Sequence, residues 1–216
     1  VRVHRSIADQ FLSEFSKAVS NLKFGLPWEE GVSLTPLPEP YKIEYLNDCI
    51  KDAEGHGARV VNENGGVSKA SFFYPAVVYP VNEKMKLYHE EQFGPIIPVV
   101  PFDDVEEVIQ YLIDAQYGQQ VSIFSRDASE VGALIDPLVN QVSRVNINSQ
   151  SQRGPDIFPF TGRKDSAEGT LSIPDAIRSF SIRSLVAFKM NDANKELINE
   201  IVNSDKSNFL STKFIF

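Results

Sequence analysis

The sequence is short of sulfur, histidine and basic charge, and each shortage excludes something. A single cysteine, Cys49, stands in 216 residues. That excludes an internal disulfide framework and a cysteine-rich metal centre, and it fits a reducing compartment. The three histidines, His4, His56 and His89, share no metal-ligand spacing, so no metal is expected. Lys and Arg number 21 against 29 Asp and Glu, a net charge of 21 − 29 = −8. With that balance and no Lys/Arg block, neither nucleic acid nor an anionic membrane is expected as a partner. No apolar run approaches the roughly 20 residues of a membrane span. No secretory leader pattern is visible, and the cytoplasm is the expected compartment. An initiator Met is also missing. The chain opens on an alternating run, Val1 and Val3, that reads as the second half of a strand. It is therefore expected to be a fragment of a longer protein.

What is present reads as a globular α/β domain. Hydrophobic residues make up 42%, enough to bury a real core. A helix is expected from Ser6, with Ile7, Phe11, Leu12, Phe15, Val19 and Leu22 at helical spacing. The stretch KFGLPWEEGVSLTPLPEP carries four prolines and two glycines and reads as an ordered surface loop. A second helix follows, with Ile43, Leu46, Ile50 and Ala53 on one face and Gly55 or Gly57 at its end. ARVV and FFYPAVVYPV read as extended segments. GPIIPVVPF, short and β-branched, reads as a strand buried on both faces. Val105, Val108, Ile109 and Leu112 then mark a helix, YGQQVSIFSRD a strand, SEVGALIDPLVNQ a helix, and VSRVNINS a strand. This alternation predicts a parallel sheet with helices on its faces. After Ser149 about twenty residues show little periodicity, a loop length that is often functional. IPDAIRSFS predicts a short helix, IRSLVAFKM a strand and DANKELINEIVN a terminal helix. The apolar tail FLSTKFIF is expected to dock rather than hang free.

Three blocks, in order, resemble the aldehyde dehydrogenase superfamily: EEQFGPIIPVVPFDDVEEVI, YGQQVSIFSRD, and VNINSQSQRGPDIFPFTGRKDSAEG. Within it, PWEEGVSLTPLPEP, the long loop and the tail are most similar to the plant-type, NADP-dependent, non-phosphorylating glyceraldehyde-3-phosphate dehydrogenases. The resemblance implies a three-layer parallel-sheet catalytic domain, incomplete at its start, over residues 1–180. It implies a projecting oligomerisation strand, terminal helix and tail over 181–216, and a homo-oligomer when the chain is full length. The implied reaction is oxidation of glyceraldehyde 3-phosphate to 3-phosphoglycerate with NADP, or NAD as the alternative acceptor. An unphosphorylated aldehyde, or a non-catalytic interaction fragment, are the other readings.

The resemblance also assigns residues. Glu91, the second glutamate of E-E-x-F-G-P, is expected to accept from the two nicotinamide ribose hydroxyls, a task suited to a two-oxygen acceptor. Phe93 is expected to wall the nicotinamide ring. Taken alone, the same residues read as solvated carboxylates on a turn and a core Phe. Arg153 is expected to fork onto a substrate phosphate, with Gly154 allowing close approach. Phe160 is either a wall of the aldehyde channel or a core anchor of the loop. Asn148 and Ser149 lie where the last strand meets that loop, the usual site edge in such a sheet. Arg163 and Lys164 read as loop structure or solvated charge. The common family pattern P-F-G-G-x-K-x-S-G-x-G reads PFTGRKDSAEG here, with Thr161 and Ala167 replacing glycines. The family's cysteine nucleophile and general-base glutamate would lie upstream of Val1, so no catalytic residue is assigned and the chain alone is expected to be inactive. Mid-helix Cys49, with no directly flanking Lys, Arg or His, reads as inert packing.

Overall fold

The computed structural model of the protein describes residues 1–39 and 41–210. The chain runs β1 (Arg2–His4), α1 (Ala8–Ser20), α2 (Lys42–Gly55), β2 (Arg59–Val60), β3 (Ser68–Lys69), β4 (Phe72–Phe73) and β5 (Ala76–Tyr79). It continues with α3 (Lys86–His89), β6 (Ile96–Pro98), β7 (Val100–Phe102), α4 (Val105–Asp114), β8 (Tyr117–Gly118), β9 (Gln120–Ile123), α5 (Ala128–Leu138) and β10 (Arg144–Ile147). Short strands β11 (Phe160–Thr161), β12 (Arg163–Lys164) and β13 (Thr170–Leu171) precede α6 (Ile173–Ser179) and α7 (Asp192–Asn203). Two compact units emerge: residues 1–153 with 161–170, and residues 154–160 with 171–216.

In the first unit the segment from Ile96 to Phe102 is the centre of the sheet. Its first half pairs parallel with β5, Ala76 to Val78 opposite Ile96 to Pro98. Its second half pairs parallel with β1, Arg2 to His4 opposite Val100 to Phe102. Val99 stitches the halves together, donating to Val78 O and accepting from Val81 N, both at 2.9 Å. β2 adds antiparallel on the far side of β5. Buried on both faces, β5 carries no polar side chain over Ala76, Val77 and Val78, each fully buried. Alternate residues serve opposite layers. Ala76, Val78 and Ile96 join Leu46, Cys49, Ile50 and Ala53 of α2. Val77 and Val99 join Val3, Val19, Phe11, Leu12 and Phe15 beneath α1. Helix, sheet, helix: these are the three layers that the resemblance implied. Buried Asn62 braces the sheet edge, accepting from Val77 N and donating to Pro75 O, both at 2.8 Å.

The expected βαβ rhythm holds further on, where β9 and β10 pair parallel across α5. Caps set the helix starts. Asp104 and Glu107 close a reciprocal capping box on α4, and Asp127 accepts from Ser129 and Glu130 at the start of α5. Two details differ from the sequence reading. Ser6 does not cap α1: the His4 ring accepts from Ser6 N and caps a 3₁₀ turn over Arg5–Ile7, so α1 starts at Ala8 and Ile7 is exposed. Val105, expected to face inward, is exposed in the first turn of α4. The proline-rich loop is ordered as expected, with Gly25 N and Leu34 O 3.1 Å apart and Lys23 Nζ on Glu30 O at 2.7 Å.

In the second unit, Ser172 caps α6 and Asn191 caps α7. Residues 182–190, expected to be a strand, pair with no strand of this chain among the described residues. They run exposed, with Ile182 95% and Leu185 88% accessible. Most of the expected docking tail, residues 211–216, lies outside the described residues.

Candidate functional site

Residues 90–94 form a turn whose two ends are held and whose middle is presented. Glu90 is occupied: Tyr45 of α2 donates its hydroxyl to that carboxylate. Glu91, next along, is exposed, and no described residue pairs with its carboxylate. Gln92 turns back, its Nε2 donating to Ile96 O at 2.8 Å, while its Oε1 is buried without a partner. That orphan costs about 1–3 kcal/mol, and exchanging the amide's O and N would only trade it for an oxygen facing the Ile96 carbonyl. Phe93 sits at φ 45 and is 76% accessible, a left-handed non-glycine residue holding an aromatic ring in solvent. Gly94 closes the turn against α2. A Cβ there would lie 2.5 Å from Leu46 Cδ2 and 2.9 Å from Cδ1, and Leu46 is fully buried.

Exposed apolar area and backbone strain both oppose this arrangement, and both concentrate where function resides. The pair suits a flat ring carried by a sugar: Phe93 offers an open aromatic face, Glu91 an unpaired two-oxygen acceptor. The alternative of two solvated carboxylates does not hold for Glu90, which takes the Tyr45 hydroxyl. One carboxylate holds the turn and the other is offered.

The second expected cluster begins where β10 ends. Asn148, at φ 49, is tied to the β9–α5 loop by two bonds: Ser125 N donates to its Oδ1 at 3.1 Å and its Nδ2 donates to Ser125 O at 2.9 Å. That makes Asn148 a loop clasp. Arg144 donates to Gln152 O at 3.0 Å, Gln152 N donates to the Gln120 side chain at 3.2 Å, and the Ser151 and Ser122 hydroxyls lie 3.1 Å apart. The stem that carries Arg153 is therefore fastened to the sheet. Arg153 is exposed at the end of that stem, and Gly154 follows at φ 79, a conformation that favours glycine. Glu91, Phe93 and Arg153 belong to the first unit and Phe160, half-buried, to the second.

Lys164 is not a solvated charge. Its Nζ donates to Leu112 O, Ile113 O and Ala115 O at 2.5, 2.9 and 2.9 Å, capping the carboxyl end of α4. Cys49 is buried in the α2 layer, and that burial raises its thiol above the ordinary value, the reverse of what a nucleophile needs. Among the described residues no group of three or more His, Cys, Asp or Glu could hold a metal. None of the four expected site residues lines the cleft of about 500 Å³ between Arg2, Arg5, Lys84, Tyr88 and Glu107. What the sequence reading missed is Tyr45. Its only signal is a polar tip beside Leu46 and Cys49 on an otherwise apolar helix face.

The family model for the aldehyde dehydrogenase family matches residues 1–186. The chain belongs to the aldehyde dehydrogenase family. Among curated aldehyde dehydrogenase relatives, the NADP-dependent glyceraldehyde-3-phosphate dehydrogenase of Streptococcus equinus is 33% identical over 181 residues, covering 84% of this chain and 37% of the relative. Among solved structures, the NADP-dependent glyceraldehyde-3-phosphate dehydrogenase of Bacillus halodurans C-125, complexed with NADP, is 31% identical with a TM-score of 0.76. It covers 82% of this chain and 36% of that one. The succinate-semialdehyde dehydrogenase of Burkholderia pseudomallei is 31% identical with a TM-score of 0.72, covering 78% and 35%. The chain thus spans little more than a third of these aldehyde dehydrogenases.

Proposed function

We propose that this chain supplies the nicotinamide and substrate walls of an NADP-dependent, non-phosphorylating glyceraldehyde-3-phosphate dehydrogenase. The observation that carries the reading is the turn at Glu91 and Phe93: an unpaired carboxylate beside an open aromatic ring on a backbone held at both ends. NADP would supply the hydride acceptor for the substrate's aldehyde carbon. Glu91 would hold it by accepting hydrogen bonds from the ribose hydroxyls, fixing the rotation of the sugar, and Phe93 would shield one face of the ring from water. Arg153 holds the anionic end of the substrate through two donors of its guanidinium fork. The chain's one thiol is buried and kept protonated, so the attacking nucleophile comes from outside these residues, and the isolated chain does not turn over substrate. Residues 181–216 serve assembly of the enzyme.

A second reading keeps the chemistry and widens the substrate to other small aldehydes with an anionic tail. Succinate semialdehyde, named in one relative, ends in a carboxylate, which a guanidinium fork recognises as readily as a phosphate. One experiment tests both. NADP reduction is followed in the full-length protein with glyceraldehyde 3-phosphate, succinate semialdehyde and unphosphorylated glyceraldehyde, without inorganic phosphate, in wild type and Arg153→Ala. The expected result is a KM for glyceraldehyde 3-phosphate raised by about tenfold or more, with unphosphorylated glyceraldehyde affected less than about twofold. A larger effect on succinate semialdehyde moves the substrate to the second reading. Indifference of all three substrates removes Arg153 from the site.

A further inference from the structure

The residues preceding and following Glu91 touch one helix, and they touch it on one face. Asp52 of α2 accepts from Lys86 N at 2.8 Å, capping the short helix α3 that leads into the turn. Tyr45 donates to Glu90, the residue immediately before Glu91. Leu46 fills the space over Gly94, the residue immediately after Phe93. Tyr45, Leu46, Cys49 and Asp52 stand at i, i+1, i+4 and i+7, so they share one stripe of α2. Leu46 and Cys49 anchor that stripe in the core, each at most 1% accessible. The helix therefore reaches the segment 86–94 at three points, and only the three residues between Glu90 and Gly94 are left between grips.

We propose that Tyr45 is a positioning residue for the cofactor-facing turn, acting through Glu90 to fix the direction of Glu91 and Phe93. The inference rests on the reading of Glu91 and Phe93 given above. The physical case is one of ordering before binding. Phe93 sits in a backbone region that L-residues leave readily, and its ring gains little from burial in this chain. Without the grip on Glu90 the turn is free to relax, and a ligand would then have to order it at the expense of affinity. A hydroxyl–carboxylate bond is the strong, directional kind that can hold such a turn. The Tyr45 hydroxyl is held protonated by Glu90, first, and by partial burial, second, so it remains a donor across the working pH range. Lys42 lies 4.8 Å over the same ring and restricts it further.

The test compares Tyr45→Phe, which loses only the hydroxyl, with Ile43→Val, a partly buried neighbour on α2 that packs against the same core. On the chain itself, hydrogen exchange of the segment 86–96 is the first readout. Tyr45→Phe should raise deuterium uptake there and leave β5 unchanged, while Ile43→Val should leave the segment 86–96 unchanged. In the full-length enzyme, Tyr45→Phe should raise the KM for NADP by about three- to tenfold, with kcat at saturating NADP within about twofold. Glu91→Gln should raise the same KM. Unchanged uptake in Tyr45→Phe overturns the proposal. So does raised uptake with an unmoved KM while Glu91→Gln still raises it, an outcome that leaves the cofactor reading intact. If Glu91→Gln also fails to move the KM, the reading of the turn falls and the proposal falls with it.

Discussion

At Phe93 a φ of 45 sets an aromatic side chain in backbone that glycine adopts more cheaply. A left-handed conformation costs an ordinary side chain about 1–2 kcal/mol that glycine does not lose. Phe93 recovers little of that by burial, being 76% accessible. Phe93→Gly is therefore expected to leave the stability of the chain unchanged or raise it by up to about 1 kcal/mol, with the thermal midpoint held or raised, while weakening NADP binding in the full-length enzyme. Differential scanning calorimetry beside a cofactor titration reads both. A lower midpoint would mean that the ring packs for stability and that its exposure is incidental. The E-E-x-F-G-P resemblance singled out Glu91 and Phe93 in the sequence. It gave no sign of what holds Glu90, because that partner is Tyr45, some 45 positions earlier in the chain and brought close only by packing.

At the scale of elements, the strongest unforeseen feature is the clamp between Lys164 and α4. Helix carboxyl ends leave carbonyls without donors, and an ammonium there satisfies them while complementing the dipole. Lys164 does this from a strand-like segment some 50 residues away, bonding Leu112, Ile113 and Ala115. Ser143 helps to pin the same loop, its hydroxyl lying 2.7 Å from Gln119 O and 2.5 Å from Thr161 O. Lys164→Met keeps the stem and removes the charge, so it is expected to cost about 1–2 kcal/mol in urea unfolding. A loss near zero would return Lys164 to the status of a solvated charge. Local caps such as Asp104 with Glu107 and Asp127 could be read from spacing, since donor and acceptor lie within one turn. Long-range caps carry no such periodic signature. The start of α1 shows the reverse error: Ser6 looks like a cap by composition, but it lies inside a 3₁₀ turn capped by the His4 ring, and α1 begins two residues later.

For the whole molecule, the sequence alternation correctly foretold helices on both faces of a parallel sheet. It did so because β5 and the Ile96–Phe102 segment are apolar without interruption, which only a strand covered twice can sustain. The second unit could not be read the same way. Residues 182–190 have the composition of a strand yet pair with none in this chain among the described residues, and composition alone does not name a strand's partner. Ile182, Leu185, Phe180 and Met190 are exposed there, apolar surface of the kind that marks an interaction site. The chain is expected to self-associate at micromolar concentration in sedimentation velocity, and Ile182→Asp with Leu185→Asp is expected to shift it toward the monomer. A wild-type chain that sediments as a monomer at high concentration would show that this surface is tolerated in water.

The solitary thiol has a further consequence. Because Cys49 lies within the stripe of α2 that grips the turn carrying Glu91 and Phe93, and because no other sulfhydryl exists in the chain, any thiol-directed reagent reports on that helix alone. Modification must wait for α2 to lift from the sheet, so the rate of labelling counts openings of the clamp one molecule at a time. The protein carries its own stopwatch, built into the part whose stillness matters.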